Sequence, residues 1–360
     1  MITVDAIANT QYDICMTFKK ISIIGDGGMG TALAILLCEK STAAGNQSKT
    51  ASLDVRIWGY DAEQLAQIER TRENKKFLPG YKLPKELLYE PDDARIMAGA
   101  ELIVSAVPCQ FMRRIWSRLK DCVPKNVPIV SVAKGIENDT LLRPTQILND
   151  VLGSKIRTAV LSGPTIADEL ARHLPATACA AAEEETLAEA VQHTFSDDVP
   201  YLRVYTNTDV VGVELAGAMK NIIAIAAGII DGIGAGDNAK AALLTRGLAE
   251  ITRLGIACGA RPQTFAGLTG LGDLVTTCIS PSGRNRSFGE RVGKGMNPRQ
   301  AQDATESVVE GITTCKSVVE LAAKYNTEMP ITQAVYEVLF ENKPVHKAIE
   351  ELMNRQLKSE

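Results

Sequence analysis

Histidine is scarce in this 360-residue chain, which has only His173, His193 and His346. Its eight cysteines (Cys15, Cys38, Cys109, Cys122, Cys179, Cys258, Cys278 and Cys315) include no C-x-x-C pair. Together these absences argue against a zinc centre, and no metal site is expected. Scattered cysteines with no secretion signal ahead of them fit a reducing cytoplasm. Met1–Gln11 has no basic residue and carries Asp5 in its middle, which is not the make-up of a signal peptide. No apolar run reaches the length of a membrane span, since Ile222–Ile230 ends at Asp231, so stable membrane insertion is not expected. An excess of positive charge is also missing. Lys and Arg number 39 against 43 Asp and Glu, a net charge of −4, with a pI near 5.7. That removes any general electrostatic reason to bind nucleic acid or anionic lipid, so an anion site must be local.

What is present is an ordinary globular composition, 45% hydrophobic and 23% charged. A chain of 360 residues suits two domains better than one core. Residues 1–15 read as an appendage, either poorly ordered or a misassigned start ahead of Met16-Thr-Phe-Lys-Lys20. A dinucleotide-binding domain is expected over 16–207 and an all-helical one over 208–360, with the boundary near Tyr205–Asp209.

The first half opens with a β-rich run, Ile21–Ile24, then Gly25-Asp26-Gly27-Gly28-Met29-Gly30, then a helical pattern over Thr31–Cys38. Strand, glycine turn and helix in this order form the dinucleotide-binding pattern. Gly25 permits the tight turn, Gly27 lets the backbone approach a pyrophosphate, and Gly30 lets the helix pack on the strand. The helix N-terminus then offers free N–H groups to the phosphates. The alternative is a glycine-rich turn in an unrelated α/β protein. Ser41–Ser52 is polar and aperiodic and reads as a loop insertion. Asp54–Trp58 is the next strand, and Asp61 after it is either a ribose contact or a helix N-cap. Further buried strands are expected at Leu102–Pro108, Pro128–Gly135 and Thr158–Pro164. Lys134 and the Gly163-Pro164-Thr165 turn fall at the carboxyl ends of such strands, where ligands bind in open α/β sheets. Lys134 could equally be a solvated loop lysine.

After Val204 the pattern turns helical, with helices expected at Val210–Ile230, Ala239–Leu254, Ala301–Tyr325 and Ile331–Phe340. Within the first, from Leu215 to Ile230, Lys220 is the only ionisable side chain and Asn221 the only other polar one. An ammonium buried unpaired is costly, so it lowers its pKa or finds a partner. A lysine kept partly neutral acts as a base. The plainer alternative is a stem snorkelling from a wet helix edge.

Six motifs decide the matter: Gly217-Ala-Met-Lys220-Asn221, Val132-Ala-Lys134-Gly135, Ser162-Gly-Pro164, Phe77-Leu-Pro-Gly80, Gly270-Leu-Gly-Asp273-Leu-Val-Thr-Thr277 and Ser282-Gly283-Arg284-Asn285-Arg286. Together with the glycine turn they resemble the NAD(P)-dependent sn-glycerol-3-phosphate dehydrogenases, bacterial type, from about Lys20 to Phe340. The resemblance implies a Rossmann-like α/β domain plus an all-α domain of the 6-phosphogluconate dehydrogenase C-terminal kind. It implies NAD or NADP as cofactor, a small phosphorylated substrate and a homodimer. The implied reaction is reversible oxidation of sn-glycerol 3-phosphate to dihydroxyacetone phosphate, run physiologically as reduction to supply phospholipid synthesis.

In this chain, Lys220 matches the proton acceptor. Lys134 matches a residue touching both cofactor and substrate. Gly163, Thr165, Asn221, Asp273, Thr277, Gly283, Arg284 and Asn285 match substrate contacts. Gly25, Gly27, Gly28, Met29, Gly30, Tyr60, Phe77, Ala167, Arg284, Val308 and Glu310 match cofactor contacts.

There are departures. Gly28-Met29 replaces the Ser-Trp or Ser-Tyr of many bacterial members, and Gly283 replaces a serine. Tyr60-Asp61 stands where many relatives carry a basic residue, which removes an expected 2′-phosphate partner and favours NAD unless Arg56 or Arg284 supplies the charge. Two rivals share the plan. In the β-hydroxyacid and 6-phosphogluconate type the lysine has an asparagine one turn later, but position 224 here is Ala. A non-catalytic nucleotide sensor would have no need of Lys220, Asp273 and Arg284 together.

Overall fold

The computed structural model describes residues 17–44, 53–305 and 308–357, with side chains left out for 41–44. The expected appendage 1–15 lies outside these residues. Eight strands form one sheet: β1 (Lys20–Ile24), β2 (Asp54–Trp58), β3 (Leu88–Tyr89), β4 (Leu102–Ser105), β5 (Ile129–Ser131), β6 (Thr158–Ser162), β7 (Ala176–Ala182) and β8 (Leu202–Asn207). Their order is β3-β2-β1-β4-β5-β6-β7-β8. All neighbours are parallel except β6 and β7, which run antiparallel. The chain walks from β1 outward to β3 and then returns across β1 to β4. This reversal opens a crevice at the carboxyl ends of β1 and β4, where such sheets bind ligands.

Five of the strands were legible as apolar runs. β7 was not, because A-T-A-C-A-A-A lacks the β-branched and aromatic residues that mark strands. Its last five residues are buried nonetheless, so burial and pairing on both sides outweigh propensity. The first helix begins inside the glycine turn and runs Gly28–Ala44. Ser41–Ala44 are therefore helical rather than loop, and 45–52 lie outside the described residues.

The helical half is built around Val210–Ile233, whose residues from Val210 to Ile229 are buried with one exception, Val211. Contrary to the sequence expectation, this helix is long and apolar enough to cross a membrane by length and composition. It is instead the core of the helical half, buried inside the protein along nearly its whole length. Helix Arg284–Gly293 lies closely against it. A Cβ on Gly289 would stand 2.0 Å from the carbonyl oxygen of Ile225, and one on Gly228 would stand 1.9 Å from that of Arg286. Only glycine allows backbones to approach this far. The contact fixes Arg284 and Asn285 at the head of one helix beside Asn221 on the other.

The expected helix over 301–325 is two helices, Pro298–Asp303 and Glu310–Lys324. The break falls around Thr305, Val308 and Val309. It brings a fresh helix start, Glu310-Gly311, to the site.

Glu214 on the central helix ties the two halves together. Its side chain is fully buried, pairs with Arg143, and accepts from the Thr145 backbone N–H and hydroxyl, both at 2.8 Å. It thus holds the start of helix Pro144–Leu152 from outside. Removing one partner of a buried pair strands the other. Glu214→Ala is expected to lower unfolding free energy by about 3–5 kcal/mol in a urea titration. A loss below about 1 kcal/mol, the scale of a surface pair, would show that the tie is dispensable.

Candidate active site

The glycine turn is closed by its neighbours. A Cβ on Gly25 would meet the carbonyl oxygen of Ala106, after β4, at 2.7 Å, and one on Gly30 would meet that of Gly25 at 2.1 Å. Over Gly28 lies the backbone of Phe77, whose oxygen would stand 2.8 Å from a Cβ there, with Ala167 at 3.7 Å. Asn74, fully buried, fastens the Phe77 segment down. Its Nδ2 donates to the Asp26 carbonyl at 2.7 Å and to Thr31 Oγ1 at 2.8 Å, and its Oδ1 accepts from Phe77 N at 3.2 Å. Gly27 differs from the other three: none of the described residues lies within 4 Å of where its Cβ would be. Packed glycines on the protein side and one open glycine at the head of a helix fit a dinucleotide pyrophosphate. Met29 lines a small cavity beside this turn together with Lys134, Thr165, Val132 and Leu161.

Lys220 does not snorkel. It is 7% exposed. Its Nζ donates to Asp273 Oδ1 at 2.8 Å and contacts the Thr277 hydroxyl. Asp273, 2% exposed, accepts on its other oxygen from Lys134 Nζ at 2.6 Å. Lys134 Nζ also donates to the Gly163 carbonyl at 2.9 Å, and the Thr165 backbone N–H donates to the same oxygen at 2.8 Å. One carboxylate is therefore shared by two ammonium groups. Burial pushes the Lys220 pKa down, Asp273 pushes it back up, and Lys134 pushes it down again; the net direction is below the ordinary lysine value. For Asp273, burial raises the pKa, but the two lysines outweigh it and hold the acid ionised. Gly217 lies against this crossing: a Cβ there would be in ordinary contact with the Lys134 stem at 3.6 Å and tight against Ser162 Oγ at 3.0 Å.

A second chain of contacts adjoins the first. Asn285 Nδ2 donates to Asn221 Oδ1 at 3.0 Å, and its Oδ1 accepts from the Gly311 backbone N–H at 2.9 Å. Gly283 is the N-cap of the Arg284 helix. Arg284 itself is exposed and forms no salt bridge among the described residues. Burial raises the Glu310 pKa, against the opposing pull of Arg284, Lys134 and Lys220. Val308, 45% exposed, leads into the helix that Glu310 begins.

Two expected positions follow β2. Tyr60 sits with Arg114, whose guanidinium contacts its hydroxyl and lies 5.1 Å from its ring centroid. Asp61 is the N-cap of helix Ala62–Thr71, accepting from Glu63 N at 3.0 Å and Gln64 N at 3.1 Å. Of the two readings open for it, the cap is the one the structure displays. Asn74 and Ser162 were missed. Ser162 Oγ is buried beside Lys134 without a hydrogen-bond partner among the described residues. The Ser162-Gly-Pro164 motif was the available signal for it. Asn74 carried none, since its partners are 43 and 48 residues away in sequence.

A dinucleotide cradle on a doubly wound sheet, with Lys134 from that sheet sharing the buried Asp273 of the helical half with Lys220, defines a two-domain nicotinamide-dependent dehydrogenase. The family model described as the NAD-dependent glycerol-3-phosphate dehydrogenase N-terminus matches residues 20–188, and the C-terminus model matches 209–350. This chain belongs to the NAD-dependent glycerol-3-phosphate dehydrogenase family. It is 45% identical over 343 residues to the glycerol-3-phosphate dehydrogenase (NAD(P)+) of Chlorobium phaeobacteroides, covering 95% of this chain and 99% of that one. The Bacillus pumilus protein of the same name is 44% identical over 339 residues, 94% of each. The crystal structure of the glycerol-3-phosphate dehydrogenase from Coxiella burnetii superposes with a TM-score of 0.87 at 35% identity, covering 94% of this chain and 99% of that one. A D-mandelate dehydrogenase at 13% identity and TM-score 0.57 shares the fold alone.

Proposed function

We propose that this chain interconverts sn-glycerol 3-phosphate and dihydroxyacetone phosphate with NAD(H) or NADP(H). The observation that carries the reading is Asp273 shared between Lys220 and Lys134 beside the glycine turn. When bound, the nicotinamide supplies or removes the hydride. Lys220 Nζ holds the proton that passes to or from the C2 oxygen. Asp273 keeps that nitrogen aimed and, through its second oxygen, stays paired with Lys134 when Lys220 is neutral. Thr277 and Asn221 supply hydroxyl and amide groups toward the substrate, with Asn285 orienting Asn221. Gly163 and Thr165 line the turn opposite.

Around the site three cations (Lys134, Lys220, Arg284) face two carboxylates (Asp273, Glu310). In a chain of net charge −4, an anion site has to be local, and this cluster of cations is the place we assign to it. We assign Arg284, with no carboxylate of its own, to the substrate phosphate, for which a planar guanidinium is suited. Gly25, Gly27, Gly28, Met29, Gly30, Phe77 and Ala167 are assigned to the cofactor, with Tyr60 at its adenosine end and Val308 and Glu310 at its nicotinamide end. We divide the chain near 207/208 into cofactor and substrate domains. The reading also includes a cytoplasmic homodimer that runs as a reductase to supply glycerol phosphate for membrane lipid.

Loss of NADH or NADPH absorbance on adding dihydroxyacetone phosphate tests the reaction, and no loss with either cofactor refutes it. Arg284→Ala is expected to raise KM for dihydroxyacetone phosphate about 10–100-fold, the scale of a charged hydrogen bond, with a smaller change in kcat. An unchanged KM in initial-rate measurements would remove Arg284 from the phosphate site.

A further inference from the structure

The acid that reads the adenosine ribose ordinarily follows the second strand of a dinucleotide fold. Here that stretch is occupied otherwise, because Asp61 caps its own helix and Tyr60 is engaged with Arg114. Yet a carboxylate does stand at the end of β2, delivered from the glycine turn. A Cβ on Gly59 would lie 2.8 Å from Asp26 Cγ and 2.9 and 3.2 Å from its two oxygens. Any residue but glycine at 59 would therefore displace this carboxylate. Asp26 is further held in place: Gln64 Nε2 donates to its Oδ2 at 3.0 Å, and Asn74 and Thr31 donate to its backbone carbonyl at 2.7 and 3.3 Å.

We propose that Asp26 binds the adenosine ribose hydroxyls and disfavours a 2′-phosphate, so that this chain selects NAD(H) over NADP(H). The inference rests on the dinucleotide reading of the glycine turn. A carboxylate accepts hydrogen bonds from a vicinal diol, and it repels a phosphate placed on the same sugar. The half-buried setting weakens screening of that repulsion.

The neighbouring cations are mostly committed. Arg56 pairs with Asp54 at 2.8 Å, in the amino-terminal half of β2. Arg118 pairs with Asp93 at 2.6 Å. Lys76 donates to Gln64 Oε1 at 3.1 Å and lies 5.0 Å from the Phe77 ring centroid; burial raises the Asp26 pKa, with Asp61 adding to it and Lys76 opposing it. Arg114 rests on Tyr60. It is the group that would hold a 2′-phosphate if Asp26 did not exclude one.

The test is titration of the full-length protein with NADH and with NADPH, following nucleotide fluorescence to obtain Kd for each. The unmodified protein is expected to bind NADH at least about tenfold more tightly. Asp26→Asn keeps the shape and an acceptor for Gln64 while removing the charge. It is expected to bring the two Kd values within about threefold, chiefly by tightening NADPH. Gly59→Ala, which pushes the carboxylate aside without removing it, is expected to narrow the ratio as well. Equal or tighter NADPH binding by the unmodified protein would overturn the proposal, and selective loss of NADPH in Arg114→Ala would then reassign the ribose edge to Arg114. A shift of both Kd values by one factor in Asp26→Asn would also overturn it, leaving Asp26 a structural role. If neither nucleotide binds the unmodified protein, the dinucleotide reading itself fails.

Discussion

Lys220→Ala is expected to lower kcat by at least about 100-fold in either direction, the usual scale of general acid–base catalysis, while Kd for NADH stays within about twofold. The separation follows from the geometry. Lys220 touches Asp273 and Thr277 and no part of the glycine turn, so the cofactor cradle keeps every contact described for it. Asp273 also keeps its ion pair with Lys134, so no carboxylate is left alone in the interior. What disappears is the nitrogen we assign to proton exchange.

The pH dependence sharpens the expectation. Oxidation needs the free amine and so rises with pH through the Lys220 pKa. Reduction needs the ammonium and falls through the same value. Burial, with Lys134 assisting, sets that value below the ordinary lysine range. The limb should therefore appear at lower pH than a solvent-exposed lysine would give, and it should vanish in the alanine variant. Near-normal kcat, or an unchanged limb without Lys220, would end the assignment of this lysine as the proton carrier.

That Lys220 is buried with a partner was an open alternative in the sequence because its segment is otherwise apolar, so a single charge stood out against a helical period. Its partner was legible only through motif resemblance. Asp273 lies 53 residues on, and no local pattern says that a carboxylate there bridges two lysines. The glycine turn was readable in full because strand, turn and helix are contiguous in sequence. By contrast, the carboxylate at the end of β2 comes from Asp26, far before Gly59 in sequence, whereas the acid that follows the strand locally is Asp61. The break before Glu310 was hidden for a related reason. The apolar pattern runs on across it, and the interruption is imposed from outside, where Gly311 meets Asn285 and a Cβ on it would stand 2.7 Å from the Asn221 carbonyl. β7 shows the same principle in the sheet, where pairing on both edges makes a strand of an alanine run that is no strand by propensity. Local chemistry was legible wherever the chain neighbours supplied it; packing between distant segments decided the rest.

Asp273→Ala is expected to do more damage than loss of either lysine, because it strips both of their counter-ion at once. The carboxylate is 2% exposed and lies 2.8 Å from one ammonium and 2.6 Å from the other. Without it two cations face each other in a buried site, and breaking such a pairing costs about 3–5 kcal/mol. The variant should unfold at correspondingly lower urea. Its turnover should collapse, since Lys220 loses its orienting partner and the influence that raises its pKa. Asp273→Asn separates these effects. The amide keeps the shape and one acceptor, so the stability loss should shrink, but the charge is gone. Lys220 then releases its proton more readily, and the limb for oxidation should move to lower pH than in the unmodified protein, with reduction failing over the same interval. Urea unfolding and pH–rate profiles on the two variants give both readouts. If Asp273→Asn keeps the stability, the rate and the position of the limb, the shared carboxylate does not govern the lysine, and the proton chemistry of this site must be assigned to another group.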